Sequence, residues 1–379
     1  MSYLNYKVAQ VPTGLRKVFF INWPLVLLIT AVSCIGFLML YSVAGGKIEI
    51  WAEPQMYRFA VGMVIMLGLA FVPMWFWRGI SVSAYVVCFL LLIAVDLFGA
   101  IGMGAQRWID IGPIRVQPSE LMKIAQVLLL AAYYDWLDLK KVSRPLWVLI
   151  PVIIILAPTA LVLMQPDLGT SIMLITGGGI VMFVAGVSLW YFAAVIGAAV
   201  GAVYAVLHSR GTDWQLLKDY QFRRIDTFLD PTADPLGAGY NIIQSQIALG
   251  SGGWSGRGFM QGTQSRLNFL PEKHTDFIFT VLSEEFGFIG AFSLLSLYML
   301  IIGFCLYSAL SNKDRFASLI TIGISATFFL YFAINMATVM GLLPAKGSPL
   351  PLVSYGGTSL MILMLGFGLV QSAHVHRPR

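Results

Sequence analysis

Ten apolar runs recur along the chain, near residues 22–45, 56–75, 80–103, 118–137, 146–164, 168–186, 188–208, 276–307, 317–341 and 351–373. Each is long enough for a helix to cross the hydrocarbon core of a bilayer, which takes about 20 residues. With 58% of 379 residues hydrophobic and 11% charged, the balance is foreign to a soluble domain of this size. The expected fold class is an all-α polytopic membrane protein, one integral membrane domain over 1–379. Residues 1–17 are polar and basic, and the first apolar run is too long for a signal-peptide core, so no cleavable signal is expected.

Charge sets the expected orientation. Arg16 and Lys17, Arg78, Lys140, Lys141 and Arg144, Lys313 and Arg315, and Arg377 and Arg379 fall in alternate connections. With an even number of spans these all share one side, which the positive-inside rule assigns to the cytoplasm. Both termini, 1–21 and 374–379, are then cytoplasmic. Segments 104–119, 165–167, 209–275 and 342–357 face outward, the third as a long extracytoplasmic loop between spans 7 and 8. The net charge of +6 is accounted for by these loops and gives no support for a nucleic-acid partner. Cys34, Cys88 and Cys305 lie in apolar runs without disulfide or metal spacing.

Nearly everything chemically unusual lies in the outward segments. In FLPEKHTDFIF, 269–279, a charged cluster runs straight into an apolar span. Thr275 is the expected N-cap and Asp276 the acid of the first helical turn, where the helix field favours the ionised form and burial opposes it. Asp276 reads as either a capping residue or a functional group at a membrane mouth. In QPSELMK, 117–123, Ser119 is the expected cap, and Glu120 and Lys123 stand on one helix face inside a span. They pair with each other or with a neighbouring helix, as a packing strut or as catalytic groups. QPDLGTS, 165–171, puts Asp167 at another helix start.

Arg107 beside Trp108, with Arg115 nearby, offers cations suited to a phosphate or pyrophosphate. Residues 343–359, with Lys346, Pro349, Pro351 and Gly356-Gly357, read as a broken or re-entrant segment, tolerated at that depth only where it lines a cavity or packs within protein. Arg107, Glu120, Lys123, Asp167 and Lys346 are therefore the candidate substrate-binding residues. Glu284 falls about 12 Å deeper than Asp276 and about 80° around the helix, and Glu285 points roughly opposite, so neither completes a carboxylate dyad with it. Asn335, polar in an apolar span, is expected to hydrogen-bond across helices.

In the long loop, 220–229 has the pattern of an interfacial amphipathic helix and 241–249 that of a second short helix. The glycines at 250, 252, 253, 256, 258 and 262 permit turns or a close backbone approach, but form no nucleotide-binding motif.

These motifs, GAQRWIDIG, QPSELMKIA, QPDLGTS, DPLGAGYNIIQSQIALGSGGWSGRGFMQGTQSRLNFLPEKHTDFIF and PLPLVSYGG, occur in one order along nearly the whole chain. In them the chain resembles the shape, elongation, division and sporulation (SEDS) family, on its elongation rather than its division branch. The resemblance implies a peptidoglycan glycosyltransferase of the bacterial cytoplasmic (inner) membrane, active on its extracytoplasmic face. It would polymerise lipid II onto a lipid-linked glycan strand, beside a class B penicillin-binding protein of the elongation complex. The family's essential aspartate in H-T-D falls on Asp276, its charged pair on Glu120 and Lys123, the arginine of its R-W motif on Arg107, and the aspartate of Q-P-D on Asp167.

Asp276 is then the expected general base, and Arg107, Lys123 or a divalent cation (Mg2+ or Mn2+) supplies positive charge to the leaving pyrophosphate; the sequence does not choose among them. Two other readings compete. A lipid II flippase would line a polar path through both leaflets, and a scaffold would tolerate loss of charge at Asp276 and Glu120.

Overall fold

The computed structural model describes residues 14–102, 105–111, 114–212, 215–216, 222, 226, 230, 240–267, 270, 272–343 and 349–377. Within them the ten apolar runs are ten long helices: α1 (Trp23–Val43), α2 (Ala52–Ala70), α3 (Met74–Phe98), α4 (Pro118–Trp136), α5 (Pro145–Met164), α6 (Leu168–Ala185), α7 (Leu189–His208), α10 (Ile278–Leu310), α11 (Arg315–Val339) and α12 (Gly357–Val375). Two short helices, α8 (Tyr240–Ser251) and α9 (Thr263–Arg266), lie between α7 and α10. Eight of the ten are long and apolar enough to cross a membrane; α2 and α4 fall outside that group and carry more polar sequence, including Glu53 and Arg58, and Glu120 and Lys123. The chain is a multi-pass helical membrane protein.

Helix α11 lies at the centre, with most of its span buried, as is most of α12, whereas α7 has no buried residue. Small residues let the helices close on one another: a Cβ at Gly178 would lie 2.6 Å from Ile155 and Gln126, and one at Gly323 2.5 Å from Val127. The segment 349–356 runs irregularly, packs on α1 at Gly36 and has its middle buried. A Cβ at Gly36 would meet the backbone of Val353 at 2.7 Å, so only glycine allows this packing. The broken segment expected from sequence is therefore packed within protein, as far as residues 349–356 go; 344–348 lie outside the described residues.

Three features differ from expectation. Span 3 ends at Phe98, and the chain then forms a three-stranded antiparallel sheet, β1 (Ala100–Gly102), β2 (Ala105–Ile111) and β3 (Ile114–Val116), where sequence suggested only a loop. Helix α4 starts at Pro118, not behind a Ser119 cap: Gln117 takes the cap position without a side-chain bond, and proline suits the first turn because its missing N–H has no helical partner there. Helix α10 starts at Ile278, two residues beyond Asp276, with Phe277 at its cap position.

The loop glycines contact a neighbouring helix. Helix α10 breaks its own ladder at Gly287 (φ 64), and segment 253–258 supplies the missing partners. Arg257 and Gly258 donate their N–H groups to the carbonyls of Glu284 and Glu285 at 2.9 and 3.0 Å, while Phe288 and Ile289 donate to Gly253 and Trp254. Glu284 caps the start of α9, accepting from the Thr263 N–H (2.8 Å) and hydroxyl (2.9 Å), and Glu285 accepts from the Ser42 hydroxyl. Both glutamates are thus committed away from Asp276, in line with the exclusion of a dyad. The short helix expected at 241–249 is α8; most of the amphipathic pattern at 220–229 lies outside the described residues.

Candidate active site

A cavity of about 240 Å³ opens at the end of the bundle where β2 and the starts of α4, α6, α10 and α12 meet. Arg107, Glu120, Lys123, Asp167 and Asp276 all line it. Five of the six candidates named from sequence, spread over 170 positions, share one wall space; the sixth, Lys346, lies outside the described residues.

Each is held by identifiable bonds. Asp167 caps α6, accepting from the Thr170 N–H and hydroxyl, both at 3.0 Å, which binds its carboxylate to the helix start. Arg107, carried by β2, donates from Nε to the Gln165 carbonyl at 2.9 Å and also bonds the Pro166 carbonyl. The unexpected sheet thereby ties the arginine to the turn that presents Asp167. Glu120 and Lys123 are both buried and form an ion pair at 2.7 Å. A third group joins them: the Tyr331 hydroxyl from α11 bonds both the carboxylate and the ammonium.

Asp276 sits in the turn 272–277 that leads into α10, and it is buried. The Thr275 hydroxyl, expected to cap the helix, instead donates to Glu272. The turn is fastened by three bonds from two elements. Asn335 donates to the Asp276 carbonyl at 2.9 Å, the Ser354 hydroxyl donates to the Thr275 carbonyl, and the Tyr355 N–H donates to the His274 carbonyl at 2.9 Å. Beside it the His274 ring stacks on Trp51 with centroids 4.1 Å apart, Trp51 meets Tyr355 edge-on, and the Arg58 guanidinium lies over Tyr355 at 4.7 Å. Burial pushes the His274 imidazole below its usual range, with Glu272 pulling it up and Lys273 pushing it further down. Burial also lowers the Lys273 ammonium.

The lining holds four carboxylates, Glu120, Asp167, Glu272 and Asp276, against two cations, Arg107 and Lys123. Among the described residues no three His, Cys, Asp or Glu side chains converge as a metal site. Sequence reasoning passed over Tyr331 and gave Glu272 no role. A signal for the tyrosine existed: Thr327, Tyr331 and Asn335 recur every four residues, a polar stripe along one face of the helix.

Comparisons with known proteins give the family and the fold. A family model described as cell cycle protein, covering FtsW, RodA and SpoVE, matches residues 19–379. The chain belongs to the FtsW/RodA/SpoVE family. This is the SEDS family of the sequence resemblance. A member from Escherichia coli strain K12, the peptidoglycan glycosyltransferase MrdB, is 44% identical over 355 residues, 93% of each chain. Among solved structures, a chain of a peptidoglycan synthase complex matches with a TM-score of 0.79 at 30% identity, over 93% of this chain and 97% of that one. The rod shape determining protein RodA of Thermus thermophilus matches with a TM-score of 0.69 at 27% identity, over 95% and 98%.

Proposed function

We propose that the chain is a peptidoglycan glycosyltransferase that polymerises lipid II into β-1,4 glycan strands for rod-shaped growth. The observation that carries the reading is the meeting of Asp276, Glu120, Lys123, Asp167 and Arg107 in one cavity of a chain so similar to MrdB. Asp276 accepts the proton of the 4-hydroxyl on the terminal N-acetylglucosamine of lipid II. The freed oxygen forms a bond to the anomeric carbon of a strand linked to lipid through pyrophosphate. The bond from that carbon to the pyrophosphate oxygen breaks, and its electron pair leaves with the phosphate. One displacement inverts the anomeric centre, as a β-link from an α-linked donor requires, and needs one base and one stabiliser of the departing charge.

The cavity lies at the bundle end that carries the segments read from sequence as outward-facing. The reading therefore places the active face outside the bacterial cytoplasmic membrane, with both termini inside. The match to a synthase complex chain supports a class B penicillin-binding protein as partner. The test is strand growth from lipid II by purified protein, alone and with that partner. Asp276→Asn keeps the shape and removes the base, and a loss of at least a hundredfold is expected. Growth at the parent's rate in that variant, or translocation of lipid II in liposomes without any glycan product, is the result that overturns the reading.

A further inference from the structure

Tyr331, Glu120 and Lys123 close a ring whose hydrogen-bond directions are fixed by chemistry alone. A carboxylate only accepts and an ammonium only donates, while a tyrosine hydroxyl has one proton to give. The Tyr331 proton must therefore go to Glu120 Oε2, and Tyr331 Oη must accept from Lys123 Nζ. Lys123 also donates to Glu120 Oε1 at 2.7 Å. Both carboxylate oxygens are now occupied, and two of the three ammonium protons are spent. The remaining N–H has Met173 Sδ at 3.7 Å as its other contact, and a thioether is a weak acceptor. Met173 and Lys123 both line the cavity that holds Asp276. The ammonium lies 4.1 Å from the Tyr331 ring centroid, at the hydroxyl edge of the ring.

We infer that Tyr331 is a positioning residue: its hydroxyl satisfies the second oxygen of Glu120 and the second proton of Lys123, leaving one ammonium N–H for a phosphate oxygen of the lipid-pyrophosphate donor. This rests on the glycosyl-transfer reading above. Without the hydroxyl, Glu120 Oε2 is bare and draws the ammonium onto both carboxylate oxygens, away from the cavity. The aromatic ring and its packing survive in Tyr331→Phe, so that variant isolates the O–H.

The experiment has two arms. In the first, full-length protein with its partner polymerises lipid II, and Tyr331→Phe is expected to lower kcat at least tenfold with KM changed less than threefold, because the lost interaction is made to departing charge. In the second, inorganic pyrophosphate is titrated into the Asp276→Asn protein, whose chemistry is disabled. Adding Tyr331→Phe there is expected to weaken binding by a similar factor to Lys123→Gln. Glu120→Gln, which offers one acceptor where the ring needs two, tests the same point should Tyr331→Phe fail to fold. Unchanged kcat together with unchanged pyrophosphate affinity overturns the inference, as does a parent that binds no pyrophosphate. Weakened pyrophosphate binding in a parent that makes no glycan upholds the role of Tyr331 and overturns the polymerase reading.

Discussion

Asn335, fully buried in α11, donates its side-chain amide to the main-chain carbonyl of Asp276 at 2.9 Å. The central helix therefore holds the backbone of the proposed base, so that the carboxylate is aimed without being occupied by that bond. Replacing Asn335 with Leu removes this bond from a buried carbonyl, at a cost of about 1–3 kcal/mol. The expected outcome is a folded protein with a lowered melting temperature and a rate of strand growth reduced at least tenfold. Polymerisation measured beside thermal unfolding checks it, and a variant that melts lower but works at full rate denies Asn335 any part in aiming Asp276.

The His274 stack should make the same turn sensitive to acid. Burial is the largest influence on this ring and depresses its proton affinity. The unfolded chain, with an ordinary value of about 6.5, takes up a proton that the fold resists. Stability from the neutral stack is thus complete above about pH 6.5 and is lost as pH falls from there through the folded value. His274→Phe keeps the ring on Trp51 and removes the titration. Melting temperatures between about pH 5 and 8 are expected to fall less steeply in that variant than in the parent.

The membrane architecture was legible because hydropathy registers directly in composition, and all ten runs became helices at nearly the expected places. The site was legible where charges stand out against apolar sequence, which is why Asp276, Glu120, Lys123, Asp167 and Arg107 could be named in advance. Local helix starts were read less well. Thr275 and Ser119 are good caps by type, yet long-range partners win: the turn at 272–277 is pinned by Asn335, Ser354 and Tyr355. The sheet at 100–116 escaped notice because strands of three to seven residues carry too little alternation. Tyr331 was hidden by its own bulk, since an aromatic in an apolar span reads as core.

Gly256 offers a separate test of the clasp around the break in α10. Its φ is +79, and a Cβ there would lie 2.1 Å from the Glu285 carbonyl oxygen. Alanine is excluded by both backbone angle and space. Gly256→Ala is expected to free segment 253–258, exposing the α10 backbone at 284–289. Faster amide exchange at Phe288 and Ile289, with a drop in melting temperature, is the expected result. Exchange unchanged from the parent means that the helix break is self-supporting.

The buried pair Glu120–Lys123 was open to two readings from sequence, strut or chemical group, and stability can be separated from rate. Removing one member of a buried ion pair strands the other charge, at about 3–5 kcal/mol, whereas replacing both with apolar groups of similar size is often neutral. Lys123→Met alone is therefore expected to unfold at markedly lower temperature. Combined with Glu120→Leu it should recover most of that loss, although the Tyr331 hydroxyl then lacks its partners and keeps recovery short of complete. Activity should behave differently. If Lys123 presents an N–H to the departing pyrophosphate, the double variant stays inactive however well it folds, because the charged donor is gone. Recovery of strand growth in step with melting temperature makes the pair a strut, whereas a stable and inactive double variant makes it part of the chemistry.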